Sequence, residues 1–245
     1  MSRHTGPRAL DRITALQRDH LIAPAGTEVI GPGARPGRCL LLHEGWAIRT
    51  LRLADGSRQI LDVLLPGDIV GLANALLGGQ TYAVASLTQA RFRRLDGPLL
   101  AEMAAAQPDF ALALLRTALK EAARTDLRLA MLGQMSAAQR VGLLVLDLFE
   151  RLRQRGMTRG STCLCPLRRN DVADAVGLSR VHVLRALGQL RAQTRVELGG
   201  GTLTVPDRAR LRDFLGLPPG TAPHAPPARP PSRPRWRAPG WLLAR

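Results

Sequence analysis

The hydrophobic pattern of this chain changes its period at Pro108. Between about Val29 and Leu95, short apolar runs alternate with turn-forming residues, and Asp55-Gly56 marks a tight hairpin. Beyond Pro108, leucines recur at alternating spacings of three and four residues, which is a helical period. We therefore expect an α+β protein whose strands precede most of its helices.

The strand-rich segment predicts a small antiparallel sandwich or barrel. Its apolar runs are RCLLLHEG, WAIRTLRL, RQILDVLL, YAVASL and ARFRRL, and the turn signals between them include GPGARPG, ADGS and PGD. One further run, GLANALLGG, is rich in small apolar residues and predicts a short helix wedged between strands. Residues 1–107 are therefore expected to form a first domain, a β-barrel.

The segment that starts at Pro108 predicts a long helix that pairs with a second copy of the chain. Its apolar residues form a narrow stripe on an otherwise polar helix, and Asp126 interrupts one position. Such a stripe is typical of a two-stranded coiled coil, whereas packing against the chain's own barrel is the alternative. We expect a dimerisation helix over 108–135, closed by Gly133. The stripe consists of Leu112, Leu115, Leu119, Ala122 and Leu129.

The stretch DVADAVGLSRVHVLRALGQL has the spacing of a DNA-binding helix-turn-helix. Ala173 is followed four positions later by Gly177 and six further on by Val183. Glycine adopts the left-handed conformation without steric cost, so Gly177 is expected to reverse the chain, and Ser179 is expected to cap the second helix. The following TRVELGGGTLTV predicts a tight two-stranded hairpin, which would complete a winged helix-turn-helix over 136–216.

A further helix is expected at the start of this second unit. Ser136 and Gln139 have the spacing of a capping box, in which two free backbone donors are satisfied reciprocally. The helix is predicted over about 137–154 and leads to a short strand around 163–167.

The outward side of the second helix of this motif predicts the DNA contacts. Arg180, Val181 and Arg185 lie near the N-terminal end of that helix, which is the end that enters the major groove. Arginine bonds bidentately to guanine O6 and N7, so Arg180 and Arg185 are predicted to read bases. A solvated basic helix face is the alternative. The predicted phosphate contacts, which fix register without reading sequence, are Arg169, Ser179 and His182.

The charge of the chain favours a polyanionic partner, and double-stranded DNA is the one that this motif would bind. Lys and Arg number 35 against 19 Asp and Glu, a formal net charge of +16. Because Lys120 is the only lysine, a compositional bias toward arginine is the alternative explanation. Residues 217–245 are rich in proline and arginine and are expected to be a disordered basic tail.

The sequence has no features of a membrane span or a secretory signal. The stretch MSRHTGPRALDRITALQRDH carries charges throughout and has no apolar core. The longest apolar run, VGLLVLDLF, is too short to cross a bilayer. We therefore expect a cytoplasmic protein without a membrane partner.

Cys39, Cys163 and Cys165 are an odd number of cysteines and do not suggest a disulfide framework. They are also too few for an iron–sulfur cluster held by four thiolates. Cys163 and Cys165 would share one face of a strand. Small buried apolar residues are the simplest interpretation, and a thiol or metal sensor is the alternative.

The order of a β-barrel, a long helix and a winged helix-turn-helix resembles the CRP/FNR family of bacterial transcription regulators. The resemblance covers residues 20–215 and is carried by GRCLLLHEGWAIR, LPGDIVG, the helix pair at 110–152 and RRNDVADAVGLSRVHVLRALGQLR. It implies a sensory barrel of the cyclic-nucleotide-binding type (a double-stranded β-helix or jelly roll) and a homodimer that binds a two-fold symmetric site. It also implies signalling through a hinge near 133–136.

By the same resemblance, Arg180 and Arg185 fall on base-contacting positions and Arg169 on a phosphate contact. The family's usual glutamate after the first of these arginines is replaced by Val181, so the base there is expected to be read differently, or through its methyl group. The target sequence therefore does not follow from the best-known members.

Two further departures concern the effector. Members that bind cyclic AMP grip it with a Gly-Glu step and an Arg-Ser pair. This chain has Gly71-Leu72 and Tyr82-Ala83 at those places, so cyclic AMP binding of the usual kind is not expected. The oxygen-sensing branch has a cysteine cluster near its N-terminus, and residues 1–38 contain no cysteine. An FNR-type iron–sulfur switch is therefore excluded, and no cofactor is predicted.

Two alternative functions follow from the barrel. A cupin-like metalloenzyme would need clustered histidine and carboxylate ligands, but the predicted barrel strands contain His43 alone. A sensor of an apolar small molecule fits better, since GLANALLGG would give a pocket wall suited to a hydrophobic or heme-like ligand. Activation would also require a surface for RNA polymerase, which residue types do not identify. We therefore predict a regulator and not an enzyme.

Overall fold

The structure is a computed structural model that describes residues 20–34, 38–79 and 81–218. From residue 219 onward, the predicted tail lies outside the described residues, as does the N-terminal stretch 1–19. The first eight strands are β1 (His20–Ala23), β2 (Glu28–Ile30), β3 (Arg38–Glu44), β4 (Ala47–Arg52), β5 (Arg58–Leu64), β6 (Ile69–Val70), β7 (Ala83–Ser86) and β8 (Ala90–Asp96). The helices are α1 (Leu72–Leu77), α2 (Gly97–Ala106), α3 (Pro108–Gln134), α4 (Ala137–Gln154), α5 (Arg169–Val176), α6 (Arg180–Thr194) and α7 (Arg208–Leu215). Four short strands complete the chain: β9 (Thr158–Arg159), β10 (Thr162–Leu164), β11 (Glu197–Gly199) and β12 (Thr202–Thr204).

The first eight strands form a jelly roll, as expected. They make two antiparallel four-stranded sheets, with the orders β1-β8-β3-β6 and β2-β7-β4-β5. Apolar side chains from both sheets are buried between them, and Leu42 and Phe92 are directly opposite each other on β3 and β8. The sandwich therefore has its own core, and the short apolar runs between turn signals predicted its strands correctly.

The predicted hairpin and short helix are both present. Asp55 Oδ1 accepts a hydrogen bond from the backbone N–H of Ser57 at 2.8 Å, and Gly56 has a φ of 83°, in the turn between β4 and β5. The run GLANALLGG forms α1 between β6 and β7. Turn chemistry therefore fixes the hairpin locally.

The long helix α3 spans the expected range to within one residue but continues past Gly133. The prediction that Gly133 closes it is wrong, because the helix continues through Gln134 and its C-cap is the extended Met135. The predicted capping box follows at once: Ser136 Oγ accepts from the Gln139 N–H at 3.3 Å, and Gln139 Oε1 accepts from the Ser136 N–H at 3.0 Å. No helix in the described residues is both long and apolar enough to span a membrane.

Helices α4 to α7 and the sheet β11-β12-β10-β9 form the second unit. Helix α7, which the sequence analysis did not anticipate, packs on α4 through Leu211 and Leu215. A Cβ on Gly142 of α4 would lie 3.0 Å from a Leu215 methyl and 3.2 Å from a Leu190 methyl. Gly142 therefore permits the close approach of three helices.

A buried ion-pair cluster joins the barrel to the helices, and we call it the Asp62 cluster. Asp62 on β5 accepts from Arg124 at 2.9 Å and from Arg128 at 2.7 Å, both on α3. Arg151 on α4 lies 3.4 Å from Asp62, and its other terminal nitrogen donates to Asp68 at 2.5 Å. The Asp62 cluster therefore ties strand β5 to two helices at one point.

The electrostatics of the Asp62 cluster favour full ionisation. Burial alone would raise the pKa of Asp62, but Arg128, Arg151 and Arg124 hold it far below its ordinary value. Burial likewise opposes the charge of Arg151, yet Asp62 and the neighbouring aspartates raise its pKa. Each charge is thus tolerated in the interior only because the others are present.

A second set of ion pairs connects the barrel to the helix-turn-helix. Arg58, at the start of β5, donates through Nε to Asp174 at 2.8 Å and through a terminal nitrogen to Asp171 at 2.9 Å. Both aspartates belong to α5. Asp171 also accepts the backbone N–H of Arg168 at 2.9 Å, which caps the same helix. Strand β5 therefore contacts the helix-turn-helix unit of its own chain directly.

Replacing Asp62 with Asn should destabilise the protein by about 3–5 kcal/mol, because three buried or half-buried arginines lose a charged partner. Chemical denaturation at neutral pH would measure this. Glu102→Gln is the matched control, since Glu102 is exposed on α2 and its replacement should change the free energy of unfolding by less than about 0.5 kcal/mol.

The difference in unfolding free energy between the parent protein and the Asp62→Asn variant should be smaller in acid. The folded-state pKa of Asp62 lies below the unfolded value of about 3.9, so its contribution is complete above that pH and declines as the pH falls below it. A difference in unfolding free energy that stayed constant down to low pH would contradict this role of the carboxylate.

Candidate nucleic-acid interface

Helices α5 and α6 are joined by the turn that the sequence predicted. Gly177 adopts the left-handed conformation, with φ 65° and ψ 43°, and the Leu178 N–H donates to the Ala173 carbonyl at 3.1 Å. Ser179 then caps α6. The inner faces of the two helices are buried in one core with α4, which fixes the angle between them. The helix-turn-helix is therefore a rigid element.

The outward face of α6 carries the predicted base-contacting residues. Arg180, Val181 and Arg185 are all exposed, whereas Val183, Ala186 and Leu190 are buried on the opposite side. Helix α6 contains three arginines, one histidine and no acidic residue. Its exposed face is therefore positively charged along its length.

Two of the predicted phosphate contacts bind each other. The Ser179 hydroxyl oxygen lies 3.3 Å from the His182 backbone nitrogen, as a cap, and 2.8 Å from His182 Nδ1. If Ser179 donates to Nδ1, the proton of the neutral imidazole is on Nε2 and is available for a phosphate. The third predicted contact, Arg169, is exposed in the first turn of α5.

The wing is the predicted hairpin of β11 and β12. Gly200 and Gly201 both have positive φ, 58° and 79°, and they connect the paired residues Gly199 and Thr202. Two successive positive φ angles are those of a type I′ turn, which matches the twist of the strands. The glycines are therefore required by the turn.

Helix α3 has two different faces. Phe110, Leu114 and Met131 are buried, and Arg124 and Arg128 contact β5 through Asp62. The five residues of the predicted stripe do not pack against the chain's own barrel. They are all exposed: Leu112, Leu115, Leu119, Ala122 and Leu129.

A cleft of about 840 Å³ lies between α3 and the barrel. Of the predicted effector residues, Gly71, Leu72 and Tyr82 line it, while Ala83 is buried on β7 and is not among the lining residues. Five basic and four acidic side chains also line the cleft. One of the basic residues, Arg49, is paired with Glu121, and its guanidinium carbon lies 5.0 Å from the centre of the Tyr82 ring.

Histidines and cysteines are placed partly as expected. The statement that His43 stands alone in the barrel is wrong, because His20 on β1 lies with its ring centre 6.5 Å from that of His43. In the described part of the chain, no three His, Cys, Asp or Glu residues form a group that could hold a metal.

Burial raises the pKa of Cys39 and Cys165 to about 12 and that of Cys163 to about 11. These three thiols are therefore protonated at neutral pH, as in buried structural cysteines.

Sequence analysis missed one residue of the outward face. Leu184 is 47% exposed and lies between the predicted base-contacting residues Val181 and Arg185 on α6. Leu184 follows Val181 by three positions, and residues three apart on a helix are neighbours, so the helical period could have placed Leu184 on this face.

Comparison with known proteins agrees with this architecture. Residues 21–107 match the family of cyclic nucleotide-binding domains, and residues 139–214 match the Crp-like helix-turn-helix domain. The solved structure of FixK2 from Bradyrhizobium japonicum has a TM-score of 0.68 to this chain at 24% identity, and the match covers 80% of this chain and 96% of that one. The two proteins therefore share a fold.

Two curated relatives are regulatory proteins by name. The nitrogen fixation regulation protein FixK of Azorhizobium caulinodans is 31% identical over 165 residues, which are 66% of this chain and 62% of that protein. The transcriptional activatory protein AadR of Rhodopseudomonas palustris is 30% identical over 178 residues, 70% of this chain and 68% of that protein. The predictions of an α+β fold and of a regulator instead of an enzyme are confirmed, and the chain belongs to the CRP/FNR family of transcription regulators.

Proposed function

We propose that the protein binds a specific DNA sequence through the outward face of α6 and thereby regulates transcription in the cytoplasm. The observation that carries this proposal is the pair Arg180 and Arg185, exposed on the N-terminal half of a capped helix that has no acidic residue. Each arginine has the donors to bond guanine O6 and N7 together. Val181 completes the base-contacting set.

Phosphate contacts would fix the register of α6 in the groove. We assign them to Arg169, to Ser179, which caps the N-terminus of α6, and to His182. All three are exposed. The type I′ hairpin would lie along the backbone next to the groove. A surface for RNA polymerase would be needed only if the protein activates.

Replacing Arg185 with Ala should weaken specific binding by about 1–3 kcal/mol for each half-site and relax the preference at one base position, because a bidentate guanine contact is lost. Selection from random DNA followed by titration of the selected site would measure both effects. Arg91→Ala is the matched control, since it removes an equally charged, exposed side chain from the barrel. Unchanged site preference in the Arg185 variant would show that α6 is not the reading element.

We further propose that the protein is a homodimer, so that two copies of α6 read a two-fold symmetric site. The exposed leucines of α3 support this, because a stripe with heptad spacing would be costly in water and is buried by pairing with its own copy. The opposite face of α3 is already occupied by the barrel, which leaves the stripe free for the second chain.

Replacing Leu119 with Glu should dissociate the dimer, because like charges would meet across the two-fold axis. Sedimentation at micromolar concentration would report the mass. Leu164→Glu is the control: Leu164 is 73% exposed on β10, Leu119 is 59% exposed, and only the latter lies on the stripe. Equal masses for the two variants would contradict the assignment of the interface.

A second candidate function is the sensing of a small molecule in the cleft between α3 and the barrel. Its volume of about 840 Å³ suits a ligand of moderate size, and Leu72, Leu76 and Leu77 give it an apolar wall. An apolar effector fits this wall, and no metal or iron–sulfur cofactor is proposed. Cyclic AMP in the usual mode is disfavoured, because Leu72 and Ala83 have no side-chain group that bonds ribose or phosphate, and Arg49 is paired with Glu121.

Calorimetric titration with cyclic AMP should therefore show no tight, stoichiometric binding, because Leu72 and Ala83 give the ribose and the phosphate no polar partner and Arg49 is already paired with Glu121. The full chain at physiological salt is the sample. Stoichiometric binding with a micromolar dissociation constant would overturn this prediction and would indicate that Arg49 exchanges Glu121 for the phosphate.

A further inference from the structure

The outward face of α6 contains two exposed apolar side chains among its basic ones. Val181 is 57% exposed and Leu184 is 47% exposed. Neither belongs to the hydrophobic core or to the partly buried residues that pack against it, whereas the nearby Leu178 and Leu187 do. The exposure of Val181 and Leu184 is therefore not explained by the packing of the domain.

The two side chains form one continuous surface. Residues three apart on a helix are neighbours, so Val181 and Leu184 lie side by side, and Arg185 is four positions from Val181 on the same face. The residues on the opposite side of the helix, Val183, Ala186 and Leu190, are buried. We call Val181 and Leu184 the apolar pair; around the helix, their positions lie between those of Arg180 and Arg185.

We propose that the apolar pair reads thymine by contact with its C5-methyl group. This inference rests on the proposed DNA-binding function and specifies what α6 recognises. The thymine methyl is the apolar group that base pairs present in the major groove, while the other positions on the base edges are hydrogen-bond donors and acceptors. Branched aliphatic side chains gain by covering that methyl and offer no partner to a polar edge.

The same physics excludes other base pairs at that place. Cytosine N4 and guanine O6, pressed against Val181 or Leu184, would lose water without gaining a hydrogen bond. The half-site is therefore expected to contain one or two thymines that contact the apolar pair, next to the guanines read by Arg180 and Arg185. Specificity would then combine an attractive methyl contact with a penalty against G·C pairs.

Deoxyuridine tests this directly, because it differs from thymidine only by the methyl group. The full chain is first used to select its preferred site from random DNA. Each thymine of that site is then replaced singly by deoxyuridine, in separate duplexes. At the thymines facing the apolar pair, deoxyuridine should lower affinity about fourfold in each half-site, the effect of one buried methyl group.

Two variants test whether Val181 and Leu184 cause the loss of affinity for deoxyuridine. In Leu184→Ser or Val181→Ser, the difference between thymine and uracil should vanish at the corresponding position, while the guanine preferences remain. Both side chains are exposed, so the variants should retain the thermal unfolding midpoint of the parent. Leu164→Ser is the control, because it removes an exposed leucine from β10 and should leave the sensitivity to uracil unchanged.

The outcomes separate this inference from the proposed function. If no preferred sequence emerges from the selection, both are wrong. If a site emerges and depends on Arg185, but every deoxyuridine duplex binds as well as its thymine parent, DNA binding stands and methyl reading is overturned. If the uracil effect persists in both serine variants, other residues make the contact and the assignment to the apolar pair fails.

Discussion

The ion pairs around Asp62 hold this molecule together as one unit. A carboxylate in a protein interior is tolerated only with compensating charges, and here Arg124, Arg128 and Arg151 supply them from two different helices. Separation of the barrel from α3 or α4 would therefore break these ion pairs. Arg151 extends the same constraint to Asp68, next to the cleft. A ligand in the cleft would lie against this network.

Much of the fold was predictable because its signals are local. Asp55 and Gly56 define their own turn, Ser136 and Gln139 satisfy each other three residues apart, and Gly177 marks the reversal between two helices. Each feature depends on residues within a few positions, so a single sequence contains it. The role of Gly133 was misjudged because glycine ends a helix only where the left-handed conformation is needed, and Gly133 remains helical.

The contacts between units were not predictable in this way. Asp62 and Arg151 are 89 residues apart, and Arg58 and Asp174 are 116 apart, so no periodicity relates them. The ring contact of His20 with His43 depends on strand order in the same manner, since β1 and β3 are joined only through β8. In the N-terminal half of α6, the helical period identified the exposed residues except Leu184, which was missed because leucine is usually part of a core.

The contact of Arg58 with α5 has a consequence for how separable the two halves of the chain are. Asp171 and Asp174 face the barrel and are neutralised by it, and Asp171 also caps its own helix. If residues 136–216 were grafted onto the barrel of another regulator, these carboxylates would meet whatever side chain that barrel has in place of Arg58. The helix-turn-helix unit of this protein is thus matched to its own barrel and is not an interchangeable part.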